Sequence, residues 1–218
     1  MHRMETRNLT LQASEGKDKE VRTFRAKMDV GEEGSTVTGY AAVFNRESED
    51  MGWFTEMREI ILPGAFDEAD MSDVRALFNH DPNMLLARTS SGTMTLELDK
   101  TGLRYTFGIP DTTAGRDLKE LLKRGDISQS SFGFTIAKQS WEEEKDERGE
   151  TIRVTRKIEK IGRLYDVSPV TYPAYPDTSV ALRSLEAWRK ENDKEETPDD
   201  KPDELDTPLL DRAEALIV

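Results

Sequence analysis

From residue 20 to about residue 183, hydrophobic positions recur mostly at every second place, the spacing of strands with one buried face. Val21, Phe24 and Met28 open the pattern loosely. A strand is predicted over 37–44, where Gly39, Ala41 and Ala42 permit close packing, and another over 53–62, closed by Pro63-Gly64. Residues 65–70 read as one or two helical turns, and 74–78 as a further apolar strand. The next pair is the clearest. Met94, Leu96 and Leu98 alternate, Asp99-Lys100-Thr101-Gly102 turns, and Leu103, Tyr105, Phe107 and Ile109 alternate again, so a hairpin with one buried face is predicted. Leu118, Leu121 and Leu122 then share one stripe of a helix, capped at Asp111 or Thr112 and ended at Gly125, where a left-handed residue is favoured. Strands follow over 127–141 and 152–170 with a charged tip at 142–150 between them, and a short helix is expected to start near Thr178. The predicted class is mainly β with peripheral helices (α+β), and a small β-barrel is the natural way to hide so many strand edges.

Charge and composition divide the chain further. Residues 1–19 are polar and aperiodic and read as a leader; 20–183 form the folded domain. Residues 184–218 hold 12 acidic and five basic side chains, supplying −7 of the net −13, and Pro198, Pro202 and Pro208 interrupt them. That composition predicts an acidic, disordered tail. The acidic balance argues against nucleic acid as a partner, because phosphate binding needs clustered Lys and Arg. No apolar run is long enough to span a bilayer, and Met1-His2-Arg3-Met4-Glu5 is not the start of a secretory signal.

Cysteine is absent, which excludes disulfides, thiolate metal sites and a Cys nucleophile. His2 and His80 are the two histidines, so chemistry within the domain that needs imidazole falls to His80. His80 precedes Asp81-Pro82, and proline biases the residue before it toward an extended conformation, placing His80 at a strand end or in the following loop. Ser131 stands in Ser128-Gln129-Ser130-Ser131-Phe132-Gly133-Phe134. In a strand, Phe132, Phe134 and Ile136 share the core face with Ser130, whereas Ser131 and Gly133 lie opposite, where the glycine leaves room for a substrate backbone. Asp166 interrupts an otherwise strand-like, partly apolar segment and needs a partner, because a lone buried carboxylate is costly. A serine nucleophile with a histidine base and an orienting acid would use these three types. Spacing alone does not separate that reading from a strand serine, a loop histidine and an ion-paired aspartate. Two other motifs fall short of a site. Asp111-Thr112-Thr113 lacks the glycine of an aspartic-protease motif and sits at the helix cap; Glu142-Glu143-Glu144-Lys145-Asp146-Glu147 lacks the ligand spacing of a calcium loop.

An ordered set of segments carries a resemblance. It comprises Gly39-Tyr40-Ala41-Ala42-Val43-Phe44-Asn45, Ile61-Leu62-Pro63-Gly64-Ala65-Phe66, Phe78-Asn79-His80-Asp81 and Leu86-Ala87-Arg88-Thr89, and then the 99–102 turn. Gly125-Asp126-Ile127, Ser131-Phe132-Gly133-Phe134, Asp166-Val167-Ser168-Pro169-Val170 and Pro173-Ala174-Tyr175 complete it. Together they resemble the prohead (procapsid) maturation proteases of tailed phages, a family that looks related to the herpesvirus assembly proteases. The resemblance implies a small β-barrel of the herpesvirus-protease type wrapped by helices. It implies a serine endopeptidase with Ser131 as nucleophile, His80 as base and Asp166, where many relatives carry Glu, as the third member. Gly162-Arg163 is the candidate for an oxyanion-binding amide. No cofactor and no metal are called for. The implied partners are the major capsid protein and its scaffolding segment, with the portal and a second copy of the chain as further candidates. The implied place of action is the procapsid interior in the host cytoplasm, with self-cleavage; the composition of residues 184–218 makes that tail the expected target. A catalytically silent scaffold element of the procapsid is the alternative.

Overall fold

The structure, a computed structural model, describes residues 9–11, 18–24, 28–31, 35–52, 55–172 and 178–195. Mainly β architecture with peripheral helices is what these residues form. The first four strands are β1 (Leu9–Leu11), β2 (Glu20–Phe24), β3 (Asp29–Val30) and β4 (Thr36–Val43). Strands β5 (Glu56–Ile61), β6 (Arg75–Phe78) and β7 (Asp81–Arg88) follow, and then the hairpin β8 (Met94–Leu98) and β9 (Gly102–Gly108). Helix α1 (Thr113–Arg124) leads into the long strands β10 (Gln129–Lys145) and β11 (Thr151–Val170), and α2 (Thr178–Glu195) ends the described chain. One sheet runs β1-β10-β11-β6-β7, with β2 also paired to β10 and β5 to β11; the second runs β3-β4-β9-β8.

The main core contains the inward residues of both sheets. Val37, Tyr105 and Phe107 meet Phe132, Phe134, Ile136, Leu164 and Val167, and Leu118 of α1 joins the same buried cluster. Phe132 and Phe134 lie two apart on one strand face and stack at 4.6 Å between centroids. Gly39 is required in β4, because a Cβ there would stand 2.8 Å from the Tyr105 hydroxyl oxygen. Helix α1 is capped as its sequence predicts: Gly115 N–H donates to Thr112 Oγ1 at 3.1 Å, and Gly125 closes it at φ 79°.

Beside the core lies a buried cluster of four charges. Arg22 of β2 donates to both carboxylate oxygens of Glu59 on β5, at 2.8 and 3.0 Å, and also reaches Glu20. Arg156 of β11 donates to both oxygens of Glu20, at 2.8 and 2.9 Å, and to Glu59 at 3.0 Å. Two cations and two anions balance one another, so each charge is paired where it is shielded from water. Burial pushes the Glu59 carboxyl up, but the two guanidinium groups outweigh it and hold the group below its ordinary value. The cluster joins β2, β5 and β11, and Gln139 ties in β10 by accepting from Arg156 Nε at 2.6 Å.

Three expectations change. Residues 65–70 form successive tight turns, with Ala65 N–H bonded to the Leu62 carbonyl and Ala69 N–H to that of Phe66; these three-residue steps follow Gly64, whose φ is 85°. The expected leader includes β1, which pairs with β10 at Leu9↔Trp141 and Leu11↔Gln139. The change of character expected at Ser184 falls inside α2, which runs on to Glu195. There Leu185 and Trp188 are buried with Met51, Met57, Trp141, Val154 and Ala181 in a second core under the far end of the long hairpin. Trp53 of the expected 53–62 strand, the segment Pro173-Ala174-Tyr175 and residues 196–218 lie outside the described residues.

That second core makes Trp188 a structural residue. Trp188→Ala is expected to cost about 3 kcal/mol, the low end for deleting a buried aromatic, because the Trp188 indole N–H is itself buried without a partner among the described residues. Urea denaturation measures this, and an unchanged midpoint would show that α2 does not belong to the folded unit.

Candidate active site

The antiparallel ladder of β10 and β11 sets the site. Its register pairs Ser131 with Ser168 and Gly133 with Asp166. Residues two apart share a strand face, so Ser131, Gly133, Asp166 and Ser168 form a compact block on one side of the ladder. Phe132 and Phe134 point to the other side, into the core. Ser130 goes with them: its Oγ lies 3.0 Å from the Tyr105 hydroxyl, and burial raises that phenol to about 12, so it stays neutral at physiological pH.

His80 arrives from β6 and β7. Strand β6 runs parallel to β11, with Asp166↔Arg75 and Val167↔Ala76, which carries its end toward Pro169. Phe78 pairs with Asp81 across a two-residue turn made by Asn79 and His80, with φ of 54° and 59°. Two consecutive positive φ values describe a type I′ hairpin turn, in which glycine is the favoured second residue. A histidine there is held in a conformation that β-carbon sterics disfavour. Asn79 latches the turn to β11: its N–H donates to the Pro169 carbonyl at 3.0 Å, and its Oδ1 accepts from Thr171 N–H at 2.9 Å.

The three residues singled out in the sequence thus come together. His80 Nε2 lies 2.6 Å from Ser131 Oγ. His80 Nδ1 is hydrogen-bonded to Asp166 Oδ1. Burial pushes the Asp166 carboxyl up, but the hydrogen bond and charge of His80, aided by Lys19, outweigh it and keep the group below its ordinary value. An ionised Asp166 accepts from Nδ1–H, and in the neutral ring Nε2 is then the acceptor that faces Ser131. Ser131 Oγ also lies 2.9 Å from the Arg22 carbonyl of β2, a second acceptor for its one proton, and Ser131 is fully buried.

Two further side chains reach this group. Lys19 Nζ stands 2.7 Å from Asp166 Oδ2. Ser168 Oγ donates to Asp166 Oδ1 at 3.1 Å. Lys19 was hidden in the expected leader, and its pairing with a residue 147 positions away leaves no local signal. Gly133 has a role different from the one its sequence suggests. A Cβ there would stand 2.6 Å from Asp166 Oδ2 and 2.3 Å from Lys19 Cε, so the absent side chain makes room for the protein's own ion pair. The amide of Gly162-Arg163 is also placed otherwise: Arg163 N–H donates to Thr135 Oγ1 at 3.1 Å, four residues along β10 from Ser131. At about 3.3 Å per strand residue that amide is far from Ser131 Oγ and is already engaged.

The order of strands, turn and carboxylate is one that can be compared with known proteins. A family model described as caudovirus prohead serine protease matches residues 21–191. The chain belongs to that family. It is accordingly a serine peptidase. The prohead protease of Enterobacteria phage HK97 is 30% identical over 171 residues, covering 71% of this chain and 67% of that one. No solved structure matches the chain. The match begins at Val21 and ends within α2, so it takes in Ser131, His80, Asp166 and the second core but not Lys19.

The lowered Asp166 carboxyl has a consequence for stability. A carboxyl depressed on folding stabilises fully above its unfolded value of about 4 and loses that contribution as pH falls through its folded value. The stability gap between wild type and Asp166→Asn is therefore expected to shrink as pH falls from about 5 to below about 4. Chemical denaturation of both proteins across that range tests this, and a gap independent of pH would show that Asp166 is not ionised in the folded state.

Proposed function

We propose that the chain is the capsid-maturation endopeptidase of a tailed phage, with Ser131 as nucleophile, His80 as general base and Asp166 as the orienting acid. It acts inside the procapsid in the host cytoplasm, cutting the scaffolding segment from the major capsid protein. The observation that carries the reading is the continuous hydrogen-bonded series Ser131 Oγ, His80 Nε2, His80 Nδ1, Asp166 Oδ1, built from three separate elements in a chain of this family.

The chemistry follows from that series. The Ser131 hydroxyl has one proton, and His80 Nε2 and the Arg22 carbonyl are both acceptors within its reach. Turned toward His80 Nε2, the proton passes to the ring as Oγ attacks the scissile carbonyl. The imidazolium so formed keeps its Nδ1–H on Asp166, whose negative charge stabilises it. The same proton then leaves with the departing amine, and a water activated by Nε2 releases the acyl group. Because Ser131 is buried and the Arg22 carbonyl faces its Oγ, substrate reaches the nucleophile only when a covering segment moves.

Ser131→Ala and His80→Ala are expected to lose capsid-protein processing to a similar extent, on the order of 10⁴-fold or more, and the double variant to be no worse, since the groups act as one unit. Co-expression with capsid protein and mass analysis of its new termini measures this. Retained processing by Ser131→Ala, with Ser130→Ala inactive instead, would move the nucleophile to the neighbouring serine.

The reading extends to self-trimming of the sequence beyond α2. That sequence is acidic and interrupted by Pro198, Pro202 and Pro208. Its tether to the domain gives it a high effective concentration at the site. Intact masses of wild type and Ser131→Ala, expressed side by side, are expected to differ by loss of C-terminal residues in the wild type alone. Equal full-length masses, while capsid protein is being cut, would exclude self-trimming.

A further inference from the structure

Ser168 has no exposed surface and lies in register with Ser131 across the β10–β11 ladder. Its Oγ contacts both other members of the site: 3.1 Å to Asp166 Oδ1 and 3.3 Å to His80 Nδ1. A hydroxyl carries one proton and two lone pairs, whereas an ionised carboxylate only accepts. The Ser168 proton therefore goes to Asp166 Oδ1, and an Oγ lone pair faces the Nδ1–H of His80.

We infer that Ser168 is a positioning residue for catalysis, fixing the Asp166 carboxylate and the His80 ring so that Nδ1–H is held and Nε2 faces Ser131. This rests on the reading of Ser131, His80 and Asp166 given above. Among the described residues Asp166 is also anchored, besides His80, by Lys19 on Oδ2, whose side chain is 44% exposed and whose attraction water and salt screen. Ser168 works on the opposite oxygen in a shielded place, where a hydrogen bond to a charged group counts for more. Without its hydroxyl the carboxylate keeps Lys19 but can rotate Oδ1 away from the ring, and the partly buried ring loses its second acceptor. The contact strengthens as the imidazolium forms, so its loss falls on the rate rather than on substrate binding.

The test uses the full chain acting on capsid protein that carries its scaffolding segment, with thermal denaturation of each variant alongside. Ser168→Ala is expected to lower kcat about tenfold, the scale of one such hydrogen bond, with KM unchanged. Ser168→Thr, which keeps the hydroxyl, is expected to recover most of that loss. In an Asp166→Asn background the Ser168→Ala change is expected to alter kcat by less than about twofold, because a residue acting through Asp166 is not additive with it. Equal losses in both backgrounds would overturn the inference, since the hydroxyl would then act independently of the carboxylate. Full activity in Ser168→Ala beside an inactive Ser131→Ala would overturn it alone, and activity in Ser131→Ala would overturn the reading of the site beneath it.

Discussion

The register between β10 and β11 is the constraint on which the site depends. A one-residue slip would send every side chain of a strand to the other face, moving Ser131 into the core and Phe132 out of it. The buried side chains of Phe132, Phe134 and Ile136 oppose such a slip, at about 2 kcal/mol for each one withdrawn from water. The same apolar alternation that builds the core therefore aligns Ser131 with Ser168 and Gly133 with Asp166. Folding and chemistry use the two faces of one ladder.

Electrostatics then position what the ladder does not contain. The Arg22–Glu59 and Arg156–Glu20 pairs tie β2 to β5 and β11, and β2, itself paired with β10, carries the carbonyl that faces Ser131. A buried ion pair contributes little net stability beside a hydrophobic replacement, but losing one member leaves an uncompensated charge and costs several kcal/mol. The cluster thus specifies where β2 lies more than it stabilises the fold. Asp166 follows the same logic in smaller form. Its oxygens are met by His80 and Ser168 on one side and by Lys19 on the other, so a carboxylate with almost no exposed surface remains charged.

What the sequence made legible was local. Period-two alternation identified the β8–β9 hairpin and separated Ser131 from Ser130; cap chemistry identified both ends of α1. What it hid was long-range or unpatterned. Strand β7 escaped notice because its first half is exposed and mixes Pro82 and Asn83 with Met84 and Leu85, leaving no alternation. Helix α2 was cut short because Leu185 and Trp188 are few among charged neighbours, and their burial depends on Trp141 and Met57 far away in the chain. The pairing of Lys19 with Asp166, and hence the true occupant of the space at Gly133, exists only after folding. The backbone at His80 was half legible: Pro82 marked a break, but positive φ on two successive non-glycine residues is a property of the turn in place.

The account stands on one claim, that Ser131 Oγ is made nucleophilic by His80. Reaction with a serine-directed fluorophosphonate, followed by peptide mapping of the labelled site, measures it directly in the full chain. The prediction is a single adduct on Ser131, formed by wild type and lost when His80 is replaced by alanine. An adduct on Ser130 or Ser168, or labelling of Ser131 that is indifferent to His80, would contradict it.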